Sequence, residues 1–250
     1  MSGPVVIPPG AAPPAPSGPL PPEHNRARTV LTVVGVVVLL AGLGLLGWVG
    51  FQYIGTNLIS ERAFADEKSG LRTKWAAEGS AGERGAKPAE PGPVRSARQT
   101  QIPGQAIALL RVPAFGEDYE VPILAGTDER DLDRGVGHYA DSAQPGQVGN
   151  FALAGHRITH GEPFAKLLDL DRGEKVIVET RDAIYTYVID DPPRDLTVPD
   201  TDTWVLDPVP GEPESKPSKA LLTLTTCQDL FRSPDRSVGF GHLASTKIKG

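Results

Sequence analysis

Hydrophobic positions follow three different patterns along this chain of 250 residues. From Thr29 to Phe51 the sequence TVLTVVGVVVLLAGLGLLGWVGF is apolar on every side, and no charged residue occurs between Arg28 and Glu61. A helix of about 20 apolar residues spans the hydrocarbon core of a bilayer. Only a helix satisfies its own backbone groups there when a single segment crosses. The pattern predicts one transmembrane anchor over residues 29–53, with Trp48 and Tyr53 placed as interfacial aromatics. A cleaved signal peptide has a shorter apolar run closely followed by a small-residue cleavage site. Here the nearest Ala-x-Ala pattern, Ala63-Phe64-Ala65, lies well downstream. Arg26 and Arg28 precede the apolar run, while Arg62 follows it beside Glu61, so the positive-inside bias favours a cytoplasmic N-terminus.

The second pattern is the absence of any stripe. Residues 1–28 are rich in Pro, Gly and Ala and cannot bury enough apolar surface to offset the entropy of ordering, which predicts a disordered tail. Residues 54–101 mix charges with Gly, Ala, Ser and Pro, and read as an extracytoplasmic linker with a short helix at Glu61–Trp75. The third pattern starts at Ile102. Short, β-branched apolar runs alternate with turn residues, predicting strands at Ala106–Val112, Glu120–Leu124, Asn150–Ala154, Lys175–Thr180, Ala183–Asp190, Ala220–Thr226 and Val238–Ile248. Arg181-Asp182 reads as a hairpin turn, and Asp128–Gly135 and Pro163–Leu168 as short helical pieces. Pro192–Lys219, with seven prolines and many charges, reads as a long surface loop, and His138 as part of another loop. Seven or eight short strands in residues 102–250 predict a mainly β domain, a closed barrel or a sandwich.

Charge narrows the functional classes. Residues 1–100 carry ten Lys/Arg and seven Asp/Glu, and residues 101–250 carry fifteen and twenty-four, so the β domain stands at −9 within a total of −6. An acidic domain without a basic stripe argues against nucleic-acid binding.

Cys227 is the single cysteine. It cannot form an internal disulfide, so outside a membrane it is a buried small hydrophobe, an intermolecular pairing partner or a free reactive thiol. It ends the strand pattern Ala220–Thr226, where a rigid scaffold holds a nucleophile at a rim. Of five histidines, His24 precedes the anchor; His138, His156, His160 and His242 remain as partners. His156 stands at another strand end. His156 and His160 are spaced as helical metal ligands, but Gly155 and Gly161 disfavour a helix and no acid or Cys cluster completes the set, so no metal is expected.

Three segments resemble the sortase family, most closely its actinobacterial class E. Thr223-Leu224-Thr225-Thr226-Cys227 matches the TLxTC strand; Gly137-His138-Tyr139 followed by Gly149–Arg157 (GNFALAGHR) matches the stretch bearing the family histidine; Arg236, nine residues past Cys227, matches the family arginine. The resemblance implies a closed antiparallel β-barrel of about eight strands with short helices, behind a single membrane anchor. It implies a cysteine transpeptidase without cofactor, in which Cys227 is the nucleophile, His156 the acid/base and Arg236 the charge stabiliser. Arg232, in the predicted loop Gln228–Asp235, is the rival to Arg236. Substrate contacts are expected from Thr226, His160, Arg157 and Tyr139. The implied partners are an LAxTG- or LPxTG-like sorting-signal peptide, cut between Thr and Gly, a peptidoglycan precursor amine, and membrane lipid around the helix. Two positions depart from the class pattern. His160 stands where a tyrosine is common, which leaves the signal residue after leucine open, and Gln228-Asp229 stands where His-Pro is common. A cysteine peptidase that releases its product to water, or a non-catalytic membrane-tethered binding module, are the alternative readings.

Overall fold

The fold is known from a computed structural model that describes residues 26–82, 101–227 and 234–249. The tail up to residue 25, residues 83–100 of the expected linker, and residues 228–233, which include Arg232, lie outside the described residues. The chain forms two compact units that divide between Leu46 and Gly47. Helix α1 (Arg26–Gly50) makes up the described part of the first and enters the second. It is long and apolar enough to cross a membrane, and its large side chains, Leu39, Leu40 and Leu46 among them, are exposed.

In the second unit a single π-helical turn, Phe51–Gly55, leads into helix α2 (Thr56–Gly82). This helix occupies much of the segment read as a linker and outruns the short helix expected at Glu61–Trp75. It is not a spacer: Phe64 and Leu71 are buried, and Phe64 belongs to the main hydrophobic core.

Among the described residues nine strands follow: β1 (Ala106–Arg111), β2 (Glu120–Ala125), β3 (Val136–His138), β4 (Gly149–Ala154), β5 (Lys175–Glu179), β6 (Ala183–Asp191), β7 (Thr197–Pro199), β8 (Ala220–Cys227) and β9 (Asp235–Ile248). Their order is β6-β5-β1-β2-β3-β4-β8-β9-β7, and β6 also pairs with β9. Eight strands therefore close into a barrel, and β7 hangs on the outer end of β9. Closure removes the open sheet edges that would otherwise template aggregation. The barrel is mixed rather than wholly antiparallel, because β2–β3 and β4–β8 run parallel. Each parallel pair needs a crossover. The turn around α3 (Glu129–Leu132) supplies the first, and everything between Ala154 and Ala220 supplies the second.

Alternation fills the barrel. On β8, Leu222 and Leu224 enter the core with Phe151, Leu153, Phe164 and Tyr187, while Thr223 and Thr225 are buried on the other face. The region expected to be only a surface loop, Pro192–Lys219, contributes β7, a 3-10 turn at Thr203–Leu206 and a small core of its own, in which Val198 and Val205 pack on Val238. Asn150 pins this segment down: its amide donates to the carbonyls of Val205 (3.0 Å) and Asp207 (3.1 Å) and accepts from Thr223 Oγ1 (2.7 Å). His138 ends β3 instead of lying in a loop.

Candidate active site

Strand pairing brings the chemistry-bearing positions to one end of the barrel. Cys227 is the last residue of β8, and its register partner on β9 is Arg236. On the other side β4 runs parallel to β8, with Ala154 opposite Thr225. Two residues further along both chains stand His156 and Cys227. The pairing is tied beyond the strand end, since Gly155 N donates to Thr225 O at 3.2 Å and Thr226 Oγ1 donates to Gly155 O at 2.8 Å. A Cβ on Gly155 would stand 2.7 Å from the Phe164 ring, so only glycine lets the chain pass so close to that core side chain.

His156 leads the loop 157–163, which is folded back on itself by Phe164 N donating to His156 O at 2.9 Å. The His156 and His160 rings lie tilted against each other at 4.8 Å between centroids, with 31° between their planes. Both face Asp133, at the C-terminal end of α3: Asp133 Oδ1 lies 3.8 Å from His156 Nε2 and 3.4 Å from His160 Nε2. Sequence reasoning missed Asp133. The missing acid beside His156 and His160 is therefore supplied from more than twenty residues upstream. The three donor atoms lie within 4.8 Å of one another, a set able to ligate a divalent ion as well as to pass protons.

Arg236 is partly exposed. Its guanidinium donates to Asp235 O at 3.2 Å and lies 3.7 Å from Asp200 Oδ2, on the segment that follows β7. Tyr139 is half-buried, its hydroxyl 3.4 Å from Thr225 Oγ1. Thr226 is buried, with its hydroxyl committed to the Gly155 carbonyl. Arg157 is half-buried in the loop after His156. His160, Arg157, Thr226 and Tyr139 thus all belong to strands or loops at this end of the barrel.

The other described histidines have different roles. His138 is fully buried. Its Nε2 lies 2.9 Å from both Ala143 O and Ser142 Oγ, its Nδ1 3.1 Å from Gln101 Oε1, and burial holds it below the ordinary imidazole range. His242 faces Asp190 at 2.8 Å on the surface of the β6–β9 pair. A groove of about 650 Å³ lined by Ser142, Gln144, Asn150 and Leu206 opens at the far end of β4 from His156. It contains none of the residues singled out for chemistry.

A sequence pattern described as the sortase domain matches residues 110–244. Sortase SrtE1 of Streptomyces coelicolor is 34% identical over 232 residues, covering 90% of this chain, which itself spans 60% of that protein's length. Sortase SrtE2 of the same organism is 30% identical over 236 residues, covering 90% of this chain and 86% of the relative. The solved structure of sortase E from Streptomyces avermitilis superposes with a TM-score of 0.53 at 38% identity, over 59% of this chain and 93% of that one. Sortase E1 from Streptomyces coelicolor, solved with a tripeptide in the active site, gives a TM-score of 0.50 at 37% identity, over 60% of this chain and 94% of that one.

Proposed function

The chain belongs to the sortase family of cysteine transpeptidases, and from that premise we propose that it cuts a C-terminal sorting signal between Thr and Gly and joins the new carboxyl end to a cell-wall amine. The observation that carries this reading is the register of β8: Cys227 is paired with Arg236 on one side and runs level with His156 on the other. One rim thus gathers a thiol-bearing residue, an imidazole and a guanidinium from three separate stretches of sequence.

In this reading the Cys227 thiolate attacks the threonine carbonyl. A C–S bond forms, and the carbonyl π electrons move onto oxygen, where the Arg236 guanidinium supplies fixed positive charge. The intermediate collapses by expelling the glycine nitrogen, which takes its proton from the His156 imidazolium. A thioester remains. An incoming amine attacks it, His156 takes the surplus proton, and the thiolate leaves. Acid and base are one group used twice. His160, Arg157 and Tyr139 line the approach of the peptide, Thr226 ties the two strand ends beneath it, and His160 acts on peptide choice more than on rate. Helix α1 anchors the protein in the membrane with its N-terminus in the cytoplasm and the barrel outside.

Mass spectrometry of the full chain after incubation with LAxTG- and LPxTG-type peptides tests the site. An acyl adduct on Cys227 is expected, and its survival in Cys227→Ala would remove the nucleophile assignment. His156→Ala and Arg236→Ala are each expected to lower turnover by about 10²–10⁴-fold; near-normal turnover in either ends that residue's role. Product analysis with and without added amine separates transfer from hydrolysis. Hydrolysis alone in excess amine would make the protein a peptidase.

A further inference from the structure

The loop that carries His160 is held from outside the barrel. His160 and Glu162 are the only non-glycine residues with positive φ among the described residues, at 58° and 48°, and Gly161 between them has φ 78°. Left-handed backbone at non-glycine positions costs about 1–3 kcal/mol each and persists only where the surroundings over-determine it. Helix α2 provides those surroundings. Asn57 Oδ1 accepts from Gly161 N at 2.9 Å, and Asn57 Nδ2 donates to Glu162 Oε1. The Phe64 ring and Ser60 close over Gly161, where a Cβ would come within 2.7 Å of Phe64 and 3.2 Å of Ser60.

One side chain therefore satisfies a backbone donor and a carboxylate on two successive left-handed residues, of which Glu162 is the strained one. The same helix also reaches the opposite wall. Glu67 pairs with Arg134 at 2.5 Å, and Arg134 follows Asp133, the carboxylate that faces both His156 and His160. Arg134 is fixed further by bonds to Gly104 O at 2.8 Å and Asp131 Oδ1 at 3.0 Å.

We propose that α2 is part of the catalytic apparatus, with Asn57 as a positioning residue. Through Gly161 and Glu162 it fixes the His160 ring against His156, and so sets the orientation of the acid/base group and the shape of the peptide approach. The inference rests on the reading of His156 as the acid/base. Asn57 touches neither peptide nor thiol in this scheme; it acts through the loop.

The test uses the full chain in detergent or lipid nanodiscs, with turnover measured on LAxTG- and LPxTG-type peptides. Asn57→Ala is expected to lower kcat/KM by about 10- to 100-fold, the scale of an ångström-size misplacement, and to change the ranking of the two peptides. It is also expected to speed hydrogen exchange at the Gly161 amide. Asn57→Asp keeps an acceptor for Gly161 but sets a carboxylate against Glu162, so it should be impaired too. The double variant N57D/E162Q restores a donor–acceptor pair and should recover most of the lost kcat/KM. A role confined to folding would move Tm without this charge-specific rescue. If Asn57→Ala proves too unstable to assay, the ratio of N57D to N57D/E162Q decides the matter on its own. Unchanged turnover, peptide ranking and Gly161 exchange in Asn57→Ala, or no rescue by E162Q, overturns the proposal. If His156→Ala keeps full turnover, the reading beneath it falls instead, which separates the two failures.

Discussion

A histidine's surroundings decide what it can do. His138 sits in the GHY stretch that helped identify the family, yet it is enclosed, bonded on both ring nitrogens and held neutral by burial. His156, eighteen positions later, is partly exposed and faces a carboxylate. The linkage sign follows for His138. Its folded pKa lies below the unfolded value of about 6.5, so between the two values the unfolded chain binds more protons and stability falls as pH falls. Denaturant unfolding from pH 7 to pH 5 should show this loss, and His138→Gln should flatten the slope across that window. An equal slope in both proteins would assign the acid sensitivity elsewhere. In the sequence Cys227 and His156 each close a strand pattern, and the resemblance of TLTTC and GNFALAGHR to the family motifs singled them out. Asp133 was not, since nothing local marks an acid in a short helical turn as facing a residue more than twenty positions on. Thr226 was expected at the substrate. Its hydroxyl instead donates to Gly155 O.

Helix α2 shows why amphipathicity can be hidden. Seven of the residues that touch the barrel, Asn57, Ser60, Phe64, Glu67, Leu71, Trp75 and Glu78, form a stripe of threes and fours on one face, flanked by Lys68 and Arg72 on Glu120. Only Phe64, Leu71 and Trp75 in it are apolar. Asn57 works by hydrogen bonds, Glu67 and Glu78 by ion pairs with Arg134 and Arg181, and Trp75 carries Lys249 Nζ at 4.6 Å from its ring centre. A hydrophobic pattern scan sees a charged linker; the structure has a docked helix. Phe64→Ala should cost about 3–5 kcal/mol, and for a domain of this size each kcal/mol lowers Tm by roughly 2–4 °C. A drop near 10 °C by differential scanning fluorimetry is expected, and a drop under 2 °C would mean that α2 is not docked in solution. Arg72, bonded to Glu120 from the exposed side at 2.8 Å, should contribute far less, under about 1 kcal/mol.

At the scale of the molecule, the strands were mostly readable and their pairing was not. Seven predicted strands match observed ones to within a few residues, because alternation and turn chemistry are local. Short β3 and β7 lack a run long enough to show alternation. The two parallel pairings depend on crossovers, so no local pattern announces them. Asn150 is the clearest link between the barrel and its outer segment, joining β4, β8 and the turn at Thr203–Leu206. Asn150→Ala removes three hydrogen bonds and leaves only the Thr223 Oγ1 bond to Val205 O, at 3.2 Å, tying the turn to the barrel, a loss of about 1–3 kcal/mol. Limited proteolysis should then cut between Pro192 and Lys219 first, and a cut rate equal to that of the parent chain would show that the segment is held by other means.

Strand β9 comes last in chain order, yet it clasps β6, β7 and β8 together. A nascent or clipped polypeptide that stops before Asp235 keeps the thiol but has neither the guanidinium across from it nor a sealed cylinder, and it bares two unzipped margins. Such a chain exposes the pairing edges of β6 and β8 and is expected to associate through them.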